Sequence, residues 1–90
     1  MEFLKSKGSW SYQLPEWDNY EKQIIDTELE KVSDLLSVEY EMHPDVDVWT
    51  ITYKDKQFII ANDLVHGCEI STDNEELLPY MEEVIKLLPL

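Results

Sequence analysis

Apolar positions along this chain change their period several times, and each change predicts an element. Between Val46 and Asn62, two apolar runs flank the polar break Lys54-Asp55-Lys56. In the first run Trp49, Ile51 and Tyr53 alternate with Val48, Thr50 and Thr52, the period of two of a strand with one face on a core. The second, Gln57 to Asn62, is rich in strand-favouring residues. With Asp55 and Lys56 as a two-residue loop, Tyr53 faces Phe58, Ile51 faces Ile60 and Trp49 faces Asn62. That register gathers the large groups on one face and leaves Val48, Thr50, Thr52, Ile59 and Ala61 as a mixed second face. A slip of one residue would scatter them.

Upstream, Met1 to Gly8 has too little pattern to assign an element and reads as a frayed end or a sheet edge. Ser9 to Leu14 alternates, with Trp10, Tyr12 and Leu14 on one side, and predicts a short strand ended by Pro15. From Pro15 or Asp18 to Leu36 the period becomes helical, with Trp17, Tyr20, Ile24, Ile25, Leu29, Val32, Leu35 and Leu36 forming an apolar stripe. Pro15 suits a first helical turn, and Glu16, Asp18 and Glu21 complement the positive end of the helix dipole.

Val38, Tyr40 and Met42 then alternate with Glu39 and Glu41 in another strand, and His43-Pro44-Asp45 supplies a turn. His66 to Ser71 reads as a last strand with Cys68 and Ile70 on one side. Thr72 and Glu75 have the spacing of a reciprocal helix cap. Leu77, Leu78, Met81, Val84, Ile85 and Leu88 follow at helical spacing. Pro79 places the start of this helix near Glu76 to Leu78 or kinks it, and Pro89 stops it.

The expected fold is therefore α+β: a two-layer domain over residues 1–90, with an antiparallel three- to five-stranded meander and two helices on one face, in the order β-α-β-β-β-(β)-α. Ninety residues leave no room for a second core.

Charge changes the picture most. Twenty Asp and Glu against seven Lys give a formal net charge of -13, which repels phosphate backbones and anionic lipid and favours a basic protein partner. No nucleic acid and no membrane are expected as partners, and a homodimer is the other association the chain allows. The helix, three strands, helix order is shared with double-stranded-RNA-binding domains as topology alone. Their basic contact residues have no counterpart here, and the chain is not placed in that family. One cysteine, Cys68, permits no internal disulfide, and the opening residues lack the apolar core of a signal peptide, so the expected compartment is the cytoplasm.

Candidate chemistry is sparse. His66, Cys68 and Asp63 supply a base, a nucleophile and a carboxylate close in sequence, but a reactive thiolate needs an electropositive setting that this chain does not offer. The cysteine reads as core. His43 with Asp45 and Asp47, or His66 with Cys68, could take an adventitious metal, yet neither has a recognised ligand spacing. The two glycines, Gly8 and Gly67, form no phosphate loop. No cofactor and no catalytic activity are expected. Trp10, Trp17 and Trp49 are candidate partner anchors, although a chain this small needs at least two of them in its core.

The expected function is an acidic module that masks a basic partner, like an immunity protein or antitoxin; the alternative is a small structural or regulatory subunit. The expected contact surface is Asp26, Glu30 and Asp34, spaced by four along the first helix on the face opposite Ile25 and Leu29. Glu75 and Glu76 at the start of the last helix assist them.

Overall fold

The computed structural model describes residues 1–90 and is α+β. Six strands form one antiparallel sheet: β1 (Leu4–Ser6), β2 (Ser9–Gln13), β3 (Ser37–His43), β4 (Val46–Tyr53), β5 (Lys56–Asp63) and β6 (Gly67–Thr72). Their spatial order is β1-β2-β6-β5-β4-β3. The strand count exceeds the expected three to five because Leu4–Ser6 pairs with β2 through the tight turn Lys7-Gly8. Both turn residues are left-handed, at φ 51° and 80°, the conformation a two-residue hairpin requires.

The central hairpin has the expected faces but a register displaced by two residues. Tyr53 pairs with Lys56, Ile51 with Phe58 and Trp49 with Ile60, around the loop Lys54-Asp55. Both loop residues are left-handed, φ 50° and 66°, so the turn closes at Lys54-Asp55, one residue earlier than the expected Asp55-Lys56 loop. A displacement of two preserves the alternation, and Trp49, Ile51, Phe58 and Ile60 are all buried on one face.

Helix α1 (Lys22–Glu30) and helix α2 (Leu78–Leu87) both cover that face. α1 reaches Trp49 through Asp26, and α2 reaches Tyr53 through Glu83; the two sheet residues point the same way along β4. The resulting slab measures 31 × 30 × 21 Å. Its core joins Leu14, Trp17, Ile25, Leu29 and Leu36 from the first half of the chain to Cys68, Ile70, Met81, Val84 and Ile85 from the second. Burying each such side chain is worth about 1.5–3 kcal/mol. The opposite face, with Thr50, Ile59 and Ser71 abreast, is uncovered.

The expected long helix is interrupted at both ends. Pro15–Trp17 forms a separate 3-10 turn. After Glu30 the chain winds on through shorter i→i+3 bonds, Ser33 N to Glu30 O at 3.1 Å and Leu35 N to Val32 O at 3.0 Å. These turns keep Val32 and Leu36 on the core side, which is why the apolar stripe outlasts the α-helix.

The last helix is preceded by a 3-10 turn, Glu75–Leu77, and Pro79 falls in its first turn, where a missing amide is harmless. The capping residue is Asn74, whose side chain accepts from Glu76 N at 3.0 Å, and not Thr72, whose hydroxyl accepts from Asn74 N at 3.2 Å. Neither helix is long and apolar enough to cross a membrane.

Candidate partner-binding flank

The approach to α1 is fixed by side chains reaching across the sheet. Leu14 N bonds Cys68 O at 2.8 Å, continuing the β2–β6 pairing, and Trp17, 1% exposed, fills the space below. Asp18 Oδ1 accepts from Cys68 N at 2.9 Å, and Asn62 Nδ2 donates to Tyr20 O at 2.9 Å. Gly67 sits beneath Asp18 at φ +82°, and a Cβ there would come within 2.6 Å of Asp18 Oδ1. The sequence therefore needs glycine here twice over, for conformation and for room.

Beyond this anchor, α1 docks on β4 and β3 through one connected group. Asp26 Oδ1 accepts from Trp49 Nε1 at 2.9 Å, and Asp26 Oδ2 pairs with Lys22 Nζ at 2.6 Å. Lys22 Nζ lies 4.3 Å from the centre of the Tyr40 ring, which packs against Trp49 with ring centres 5.4 Å apart. The Tyr40 hydroxyl donates to Asp47. That hydrogen bond first, then desolvation and the neighbouring carboxylates, pushes the Tyr40 phenol up to about 12.

Strand β3 lies outermost beside this group, and all seven of its residues are exposed. A groove of about 570 Å³ runs between the β2–α1 connection and the β3–β4 turn. Asp18, Glu21, Asp45, Asp47 and Asp63 line it, and its one lysine, Lys22, is already engaged by Asp26 and Tyr40. A second groove of about 250 Å³, lined by Asp26, Leu29, Glu30, Ser33, Leu36 and Val38, continues along the same flank between α1 and β3.

The five acids expected to form the contact surface are not equivalent. Asp26 is half-buried and holds the indole of Trp49, so it lies beside the core and not opposite it. One residue turns a helix by about 100°, which sets Asp26 next to Ile25 on the flank. Glu30 ends α1 and Asp34 lies in the following turns; both are exposed. Glu75 and Glu76 are exposed on the 3-10 turn after β6. Of these five, only Asp26 and Glu30 share a groove.

The other candidates separate. Cys68 is 0% exposed; burial above all, then the charges of Asp18 and Glu69, push its thiol up to about 12. His66 points outward, its ring 3.4 Å from Asp63. Asp63 instead accepts from Val65 N and His66 N at 2.7 and 3.2 Å, and these bonds lower its pKa. His43 sits 3.1 Å from Glu41, and Asp47 is held by Tyr40, so that trio does not converge. Trp17 and Trp49 are core, and half-buried Trp10 faces the helix side opposite Thr72, so the open sheet face carries no tryptophan.

Sequence reasoning missed Tyr40, Lys22 and the edge position of Glu39 and Glu41. Their alternation with Val38 and Met42 marks a strand, but only the topology makes it the outermost one. No family model, curated protein or solved structure matches this chain.

Proposed function

We propose that this chain is an acidic binding module that masks a basic surface on a partner protein, in the manner of an immunity protein or antitoxin. The observation that carries the reading is the α1–β3 flank, where Asp26 and Glu30 border one groove and Asp18, Glu21, Asp45, Asp47 and Asp63 line a neighbouring one whose single lysine is already paired. Glu30, Asp34 and Glu39, exposed along or beside that flank, enter no ion pair. Uncompensated carboxylates on a net charge of -13 steer a cationic partner and reject anionic ones. A cytoplasmic setting accords with a single buried, unpaired cysteine.

The test is to immobilise the chain, load a cell extract at low ionic strength and elute with a salt gradient. The reading expects a basic protein that leaves at moderate salt and rebinds when salt is removed. Retention of a neutral or acidic protein through high salt would favour the alternative, a structural subunit docking on the uncovered sheet face, where Ile59 is 37% exposed.

A further inference from the structure

The two edges of the sheet are unlike. β1 is a three-residue strand with Lys5 at its centre and Lys7 in the turn beside it, the short, charged form in which natural edges are closed to further pairing. β3 offers seven residues in unbroken register with β4, with no proline inside the strand.

Which backbone groups β3 leaves free follows from the hairpins. The residues flanking a two-residue loop bond to each other, so Tyr53 pairs with Lys56 and, by alternation, β4 turns Val46, Val48, Thr50 and Thr52 toward β3. Their partners Ser37, Glu39, Glu41 and His43 bond inward. Val38, Tyr40 and Met42 therefore direct their amides and carbonyls away from the sheet, and none of these groups makes a backbone bond elsewhere.

Side chains on this edge sort by face. Val38, Tyr40 and Met42 project on the helix side and are 36%, 37% and 77% exposed. Glu39 and Glu41 project on the open side with no lysine opposite, since their β4 partners are Thr50 and Val48. A second copy of this chain is a poor occupant. In an antiparallel pairing centred on Tyr40, Glu39 of one copy would lie across from Glu41 of the other, and like charges directly opposite are destabilising.

We infer that β3 captures an extended segment of the basic partner as a seventh strand, in which lysine or arginine alternates with β-branched or aromatic residues. The free backbone groups at Val38, Tyr40 and Met42 hold it, their side chains take its apolar face, and Glu39 and Glu41 take its cations. This rests on the acidic-module reading and adds to it a site and a ligand conformation.

The test is an amide NMR titration of the intact chain with a seven-residue peptide alternating lysine and valine, and with a peptide of the same composition in two blocks. The alternating peptide should shift Val38, Tyr40 and Met42 saturably, slow exchange of their amides, and bind about fivefold or more tighter than the blocked one. Met42→Pro removes one outward donor at an edge position where proline is tolerated, and should weaken binding about fivefold. Should that variant lose its fold, Glu39→Gln with Glu41→Gln leaves the backbone alone and should lower both affinity and its salt dependence.

Saturable shifts confined to other acids, such as Glu75 and Glu76, would overturn strand capture and leave the acidic module standing. No saturable shift anywhere would overturn both. Shifts in β3 that grow with protein concentration alone would assign this edge to self-association and overturn the inference.

Discussion

Asp26 Oδ1 accepts the indole N–H of Trp49 at 2.9 Å, tying the middle of α1 to β4, the strand next to the sheet's β3 edge. Trp49 is 0% exposed, so its donor has no recourse to water. Asp26→Ala should destabilise the fold by about 1–3 kcal/mol, the cost of an orphaned buried donor. Asp26→Asn keeps an acceptor and should cost less, because the half-exposed pair with Lys22 that it also loses is worth little. Denaturant midpoints of the two variants check this. Any neutralisation of the flank's charge has to spare Asp26.

Ile51→Ala and Ile60→Ala should each cost about 2–5 kcal/mol, since both side chains are 0% exposed in the shared core. Thr50→Ala, on the uncovered face, should cost much less. Equal losses on the two faces would contradict the one-sided core, and urea unfolding decides between them.

Those faces were legible in the sequence because a period of two survives any even displacement of register. The register itself was not, because Lys54 and Asp55 both adopt positive φ without being glycine, a choice set by how the strands close. The long helix was overread for a related reason. Turns built on i→i+3 bonds kept Val32 and Leu36 facing inward after the α-helix had ended. At the candidate site, spacing by four placed Asp26, Glu30 and Asp34 in one row, but it could not say that the row begins beside a buried tryptophan. Nor could any pattern within β3 reveal that it has a single neighbour, since strand order is decided by the whole chain.

Gly67→Ala should be destabilising by about 1–2 kcal/mol from its positive φ alone, with a further loss because the new Cβ meets Asp18 Oδ1. In an Asp18→Ala background the second part disappears, so the two substitutions together should cost less than their sum. A double-mutant cycle measured by thermal or denaturant unfolding isolates that coupling.

Asp63 has a folded-state pKa below its ordinary 3.8, held down by the amides of Val65 and His66 and then by the His66 ring. A depressed carboxylate contributes stability that is fully present above its unfolded pKa and is lost as pH falls through the folded one. Glu83, bonded by the Tyr53 hydroxyl and Lys54, and Glu82, bonded by Lys86, act in the same direction. Asp63→Asn keeps an acceptor for the turn but removes the titrating group. Below about pH 4 the variant should lose stability less steeply than the parent chain, which melting temperatures across an acid series will show.

The most direct measurement of the central claim is the association rate constant of the recovered basic partner with the parent chain and with Glu30→Gln, Asp34→Asn, Glu39→Gln, Glu41→Gln combined. All four carboxylates are exposed, so the melting temperature should hold. At low salt the variant should associate about tenfold more slowly, with a smaller change in dissociation, and the difference should shrink as ionic strength rises. Equal association rates at low salt would contradict the claim that the α1–β3 flank draws in its partner by charge, and the uncovered sheet face around Thr50, Ile59 and Ser71 would take its place.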